Sequence, residues 1–146
     1  MARLRGPCDT AGPMNPVRLL LVDDTPDFLT AAATFLRARS EVRVVGTAGS
    51  GVEALELATR LPVDLVLLDL NMRGMDGLET TRQLKSRPGA PKIIIVTLHN
   101  APEYRRLALA AGADGFVSKA EFTTALLPLI GTLFGDATVQ TSPSLE

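Results

Sequence analysis

The stretch Asp64–Glu79, DLVLLDLNMRGMDGLE, decides how the rest of the chain is read. Leu65, Val66, Leu67 and Leu68 form an unbroken apolar run that ends on a carboxylate, Asp69. A strand with one wet face alternates apolar and polar residues. A run without alternation belongs to a strand covered on both faces, as in a parallel sheet flanked by helices. Gly74 and Gly77 then mark a loop, and Asp76 with Glu79 has the spacing of a capping box at the start of a helix. A carboxylate that closes a fully buried strand needs a reason to be there.

Working outward, five apolar runs predict strands: VRLLLV (17–22), VRVVG (42–46), VDLVLLDL (63–70), KIIIVTL (92–98) and DGFVS (114–118). Helical patterns fill the gaps. In TPDFLTAAATFLRAR, Thr25 is the expected N-cap and Pro26 the first helical residue, and Phe28, Leu29, Ala32, Phe35 and Leu36 share a face. Val52, Leu55 and Leu57 are the expected core side of the second helix, and Asp76 opens the third. The fourth runs from Asn100, with Pro102 in its first turn, to a stop at Gly112. The fifth, EFTTALLPLIGTLF, contains Pro128, which is expected to kink it. Strands alternating with helices give a doubly wound α/β domain with helices on both faces of a five-stranded parallel sheet. The expected order, 2-1-3-4-5, is borrowed from known flavodoxin-like sheets, since the sequence alone does not fix it.

The 146 residues suit one domain, and folding at this size buries roughly two thirds of the unfolded chain's surface. Residues 1–15, rich in Gly and Pro, read as a flexible leader, 16–134 as the domain, and 135–146 as a tail or truncated linker. Met14 is a possible natural start, and the terminal Leu145-Glu146 a possible cloning remnant. A net charge of −1 gives no bulk attraction to nucleic acid or to an anionic membrane, so direct binding to either is not expected. No apolar run approaches the ~20 residues of a membrane helix, and the N-terminus lacks the apolar centre of a signal peptide. The lone Cys8 cannot form an internal disulfide, which fits a cytoplasmic protein.

Ligands of doubly wound sheets bind beyond the C-terminal strand ends. Strand 1 ends in Asp23 and Asp24, strand 3 in Asp69 and strand 4 in Thr97, and Ser118 and Lys119 follow strand 5. Each alone has a structural explanation: Asp caps helices, Thr favours strands, and a loop Lys is usually solvated. Together they describe a site. Ionised carboxylates 4 Å apart repel by roughly 4 kcal/mol per pair at an effective dielectric of 20. Lys119 offsets one charge, and a divalent ion offsets the rest. Mg2+ suits oxygen ligands and keeps waters for phosphate oxygens. A lysine and a hydroxyl are natural clamps for a phosphoryl group, and a carboxylate beside the ion can itself be the nucleophile.

The pattern LLLVDD, LVLLDLNMRGMDGLE, IIIVTLH and AGADGFVSKAEF resembles the receiver domain of two-component response regulators, over about residues 16–134. The resemblance implies that Asp69 is the phosphoacceptor and that Mg2+ is held by Asp24 directly, by Asp23 through water, by Asp69 and by the backbone carbonyl of Asn71. It implies that Thr97 and Lys119 engage the phosphoryl group, that Phe116 is the aromatic switch, and that Asn71 and His99 tune phosphoryl lifetime. The expected donor is a histidine kinase or a small phosphodonor. The expected response is a change in the surface of helix 4, strand 5 and helix 5, which is also the possible homodimer face.

Three residues depart from the family pattern. Arg73 and Ala120 stand where Pro is usual, so no cis peptide is expected after Lys119, and Pro128 puts a standard dimer face in doubt. A phosphatase with an Asp nucleophile is disfavoured because Asn71, not an acid, lies two residues after Asp69. The domain is thus expected to be a signalling module, with no chemistry beyond its own phosphorylation and dephosphorylation. A receiver that is never phosphorylated is the alternative. The GADGFVSKAE stretch resembles receivers that precede a helix-turn-helix domain, so transcription control through a further domain is the expected output, with a stand-alone receiver acting on a protein target as the other option.

Overall fold

The computed structural model describes residues 16–98 and 102–134. Cys8, Met14, His99, Asn100 and the tail from residue 135 lie outside the described residues. The elements alternate as expected: β1 (Val17–Val22), α1 (Pro26–Arg37), β2 (Val42–Ala48), α2 (Gly51–Arg60), β3 (Leu65–Leu68), α3 (Gly77–Lys85), β4 (Lys92–Thr97), α4 (Pro102–Ala110), β5 (Gly115–Ser118) and α5 (Phe122–Leu133). A short 3-10 turn, Lys119–Glu121, joins β5 to α5. The strands form one parallel sheet in the order β2-β1-β3-β4-β5.

Successive strand residues face opposite sides, and the unbroken apolar runs feed two cores. Leu19, Leu21, Leu65, Leu67, Ile94 and Val96 pack with Leu36 of α1 and Leu126 of α5. Leu20, Val22, Val66, Leu68, Ile93 and Ile95 pack on the other side with Ala54 of α2, Leu84 of α3 and Ala108 of α4. Parallel register then does the positioning. Val22 pairs with Leu68, so the next residues, Asp23 and Asp69, emerge side by side. Leu68 pairs with Ile95, and Thr97 pairs with Ser118. The carboxylates, the threonine and Lys119 therefore share one rim.

Some local expectations change and others hold. β2 runs on to Ala48, because Thr47 and Ala48 still pair with Leu21 and Val22. β3 is confined to Leu65–Leu68. Val52 is 56% exposed rather than core. α2 lies so close to α3 that a Cβ on Gly51 would collide with Thr80 Oγ1, which turns Gly51 and Ala54 inward and Val52 out. Thr25 is the N-cap of α1, but its side chain makes no capping bond. Asp76 accepts the Glu79 N–H at 2.9 Å, whereas the Glu79 carboxylate turns to Arg82 and Gln83, so only half of the capping box forms. α5 spans Phe122–Leu133 with Pro128 inside it, as expected. There is no cis peptide among the described residues, Lys119–Ala120 included. Gly112 ends the α4 region with φ +109°, a conformation that favours glycine.

Candidate functional site

β1 and β3 deliver the three acids. Asp23, Asp24 and Asp69 each offer a carboxylate oxygen, and these oxygens all lie within 4.8 Å of one another. Asp23 is buried, and its Oδ1 accepts the Thr25 N–H at 2.8 Å, which fixes the turn into α1. Its Oδ2 lies 2.7 Å from Lys119 Nζ, yet it receives no hydrogen bond of ordinary geometry. Asp24 is half-buried, and its Oδ2 accepts the backbone N–H of Arg73 at 3.0 Å. Asp69 is buried, and its Oδ1 accepts a long bond, 3.4 Å, from the Asn71 N–H. Gly77 lets α3 start directly behind it: a Cβ there would collide with the carbonyl oxygen of Asp69.

The cation comes from the far side of the sheet. Lys119 Nζ lies 4.0 Å from Asp69 Oδ2, farther than from Asp23, and 4.4 Å from the centre of the Phe28 ring. Thr97 is fully buried at the end of β4. Phe116 is buried in the second core, with the Arg105 guanidinium 4.9 Å over its ring. Asn71 is exposed in the loop after Asp69. Phe28 and Arg73 are the contacts that sequence reasoning missed. Phe28 was placed only on the core face of α1, and Arg73 stood only as a departure from a pattern.

The electrostatics follow from this crowding. Burial pushes the Asp69 carboxyl up from 3.8 to about 6. The neighbouring Asp23 charge adds to the rise, and Asp24 adds less, while Lys119 and the Asn71 N–H pull the other way. Three ionised acids against Lys119 leave a charge of about −2. Oxygen-only donors within 4.8 Å of one another and an excess of negative charge are what a small hard dication requires. The residues present fit such an ion.

The family description "Response regulator receiver domain" matches residues 19–130. The nitrate/nitrite response regulator protein NarL of Escherichia coli K12 is 39% identical over 104 residues, covering 71% of this chain and 48% of that protein. The transcriptional regulatory protein LiaR of Bacillus subtilis is 37% identical over 103 residues, covering 70% and 49%. The signal receiver domain of the putative response regulator NarL from Mycobacterium tuberculosis superposes with a TM-score of 0.74 at 30% identity, covering 86% of this chain and 98% of that one. The chain thus spans about half the length of the curated relatives it matches. Receivers are signalling domains switched by phosphorylation, typically by histidine kinases, and in general they bind Mg2+ at an acidic pocket. The family match over most of the chain joins a fold that carries three carboxylates to one rim, and the chain belongs to the receiver domains of two-component response regulators.

Proposed function

We propose that Asp69 accepts the phosphoryl group, from a histidine kinase or a small phosphodonor. The convergence of Asp23, Asp24 and Asp69 with Lys119 on one rim is the observation that carries this reading. The Asp69 carboxyl is raised to about 6, chiefly by burial: still mostly ionised at pH 7, but more basic than an ordinary Asp. One Asp69 oxygen attacks phosphorus. The new P–O bond forms as the bond to the donor breaks, and the leaving imidazole nitrogen or donor oxygen keeps the electron pair. Asp23, Asp24, Asp69 and the Asn71 carbonyl would hold Mg2+, which when bound neutralises charge on the transferring oxygens.

Lys119 then exchanges Asp23 for the phosphoryl oxygens, and the Thr97 hydroxyl donates to them. Phe116 follows Thr97 and remodels the surface of α4, β5 and α5, which shifts affinity for a partner or a second copy. Asn71 and His99 tune the lifetime of the phosphoryl group. The receiver occupies 16–134, between the leader and a tail or linker, and acts in the cytoplasm. Its output is transcription control through a domain outside this chain, in keeping with the names of the relatives. Beryllofluoride with Mg2+ mimics the phosphoryl group and tests the assignment. Amide NMR shifts in β5 and α4 are expected for wild type and absent for Asp69→Asn; equal responses would remove Asp69 from the role.

A further inference from the structure

Arg73, in the loop after Asp69, is used by neither core packing nor the proposed transfer. Its side chain is 94% exposed, but it is not simply solvated. Its backbone N–H donates to Asp24 Oδ2 at 3.0 Å, and its Nε lies 3.8 Å from the same oxygen. One residue thus holds one carboxylate oxygen twice, by its backbone and by its charge.

Asp24 is the least buried of the three acids. Together with Asn71, Arg73 and Tyr104 it lines an open cleft of about 600 Å3, which neither Asp23 nor Asp69 lines. The cleft gives a hydrated cation access to Asp24. Among the described residues, the ion pairs to the three acids come from Lys119 and Arg73 alone. Lys119 is largely enclosed and sits against Asp23. Arg73 is therefore the counter-charge that can leave.

We propose that Arg73 is a built-in counter-ion that competes with a divalent cation for Asp24 and so sets the metal affinity of the site. This rests on the reading that the three acids hold a metal. Without the metal, Arg73 relieves repulsion among the acids. With it, the Asp24 oxygen that faces the Arg73 N–H has to turn, and the guanidinium has to move off. Arg73 is a positioning residue that acts through Asp24.

Two variants separate its two contacts. Arg73→Ala removes the guanidinium and keeps the N–H. Arg73→Pro removes both, because proline has no backbone donor. The two carry the same charge, so a difference between them reads the hydrogen bond rather than the general field.

The test is a calorimetric Mg2+ titration of the full chain, with thermal melts at zero and saturating Mg2+. Arg73→Ala is expected to bind Mg2+ about threefold more tightly, the scale of an exposed ion pair. Arg73→Pro is expected to bind about tenfold more tightly, since a hydrogen bond to a charged group is also lost. Without divalent ions, Arg73→Ala should melt below wild type and gain more from Mg2+. Unchanged or weaker Mg2+ binding in both variants, with wild-type binding intact, overturns the inference. Equal affinities for Arg73→Pro and Arg73→Ala also overturn it, because then only the field acts. If wild type shows no saturable binding and Asp24→Asn changes nothing, the metal reading falls and the inference falls with it.

Discussion

Lys119 sits on Asp23, not on Asp69: its Nζ lies 2.7 Å from Asp23 Oδ2 and 4.0 Å from Asp69 Oδ2. The lysine is held beside the proposed acceptor while ion-paired with its neighbour, close enough to exchange partners when new negative charge arrives. Removing it leaves two buried acids without a counter-charge. Lys119→Met should therefore destabilise the domain by about 3 kcal/mol at pH 7, the lower end for breaking a buried pair. Urea unfolding without divalent ions measures this, and a loss under about 0.5 kcal/mol would mean that the pair contributes little.

Asp69 gives a pH dependence of definite sign. Its folded-state value is raised from 3.8 to about 6, so the folded protein binds the proton more tightly than the unfolded chain does. Stability from this group is then lost as pH rises from 3.8 to about 6, and it is level above that window. The penalty at pH 7 is of order 3 kcal/mol for a rise from 3.8 to about 6. Asp69→Asn should be the more stable protein at pH 7, with a margin that shrinks towards pH 4. Unfolding curves of both proteins across this range, in chelator, read the difference directly. Parallel pH profiles would contradict the raised value. Adding Mg2+ should reduce the margin, because the ion favours the ionised acid.

Gly77 tests how the loop after Asp69 is held. A Cβ at this position would meet the carbonyl oxygen of Asp69 and the Cα of Leu70, backbone atoms that cannot rotate away. Gly77→Ala should cost about 2 kcal/mol, in the range of forced backbone shifts. It should also weaken the beryllofluoride response, since the loop beside Asp69 has to move. Thermal melts and the NMR response check both, and a variant that matches wild type in each would show that the loop yields freely.

Phe28 links the site to α1. Its ring lies under Lys119 Nζ at 4.4 Å and packs edge-on against Phe122 at 5.4 Å. Phe28→Leu should cost about 1–2 kcal/mol through the lost cation–π and aromatic contacts. The Lys119 ammonium NMR signal should shift and broaden in the same variant. A stability loss without that change would make Phe28 a packing residue alone.

The sheet was legible because of unbroken apolar runs such as Leu65–Leu68, which are too short for a helix, do not alternate, and so fit a strand covered on both sides. Those runs also located the site, because parallel register carries whatever follows each run to a common rim. Asp23, Asp69, Thr97 and Lys119 were readable for that reason. Val52 was misread because helical spacing allows more than one face, and the close approach of Gly51 to α3 selects among them. The preference of Lys119 for Asp23 was not legible, since it turns on distances that differ by little more than an ångström. Nor was the hold of Arg73 on Asp24, because it depends on where a loop tip folds back across 49 residues of sequence.

Asp69 is proposed to accept a phosphoryl group in a metal-dependent step. Incubating the chain with an acyl phosphate and Mg2+, trapping the acyl phosphate by borohydride reduction and mapping the product by peptide mass spectrometry tests it most directly. The expected result is reduction at Asp69 alone, absent in chelator and absent in Asp69→Asn. Reduction at another acid, or at none with Mg2+ present, would contradict it.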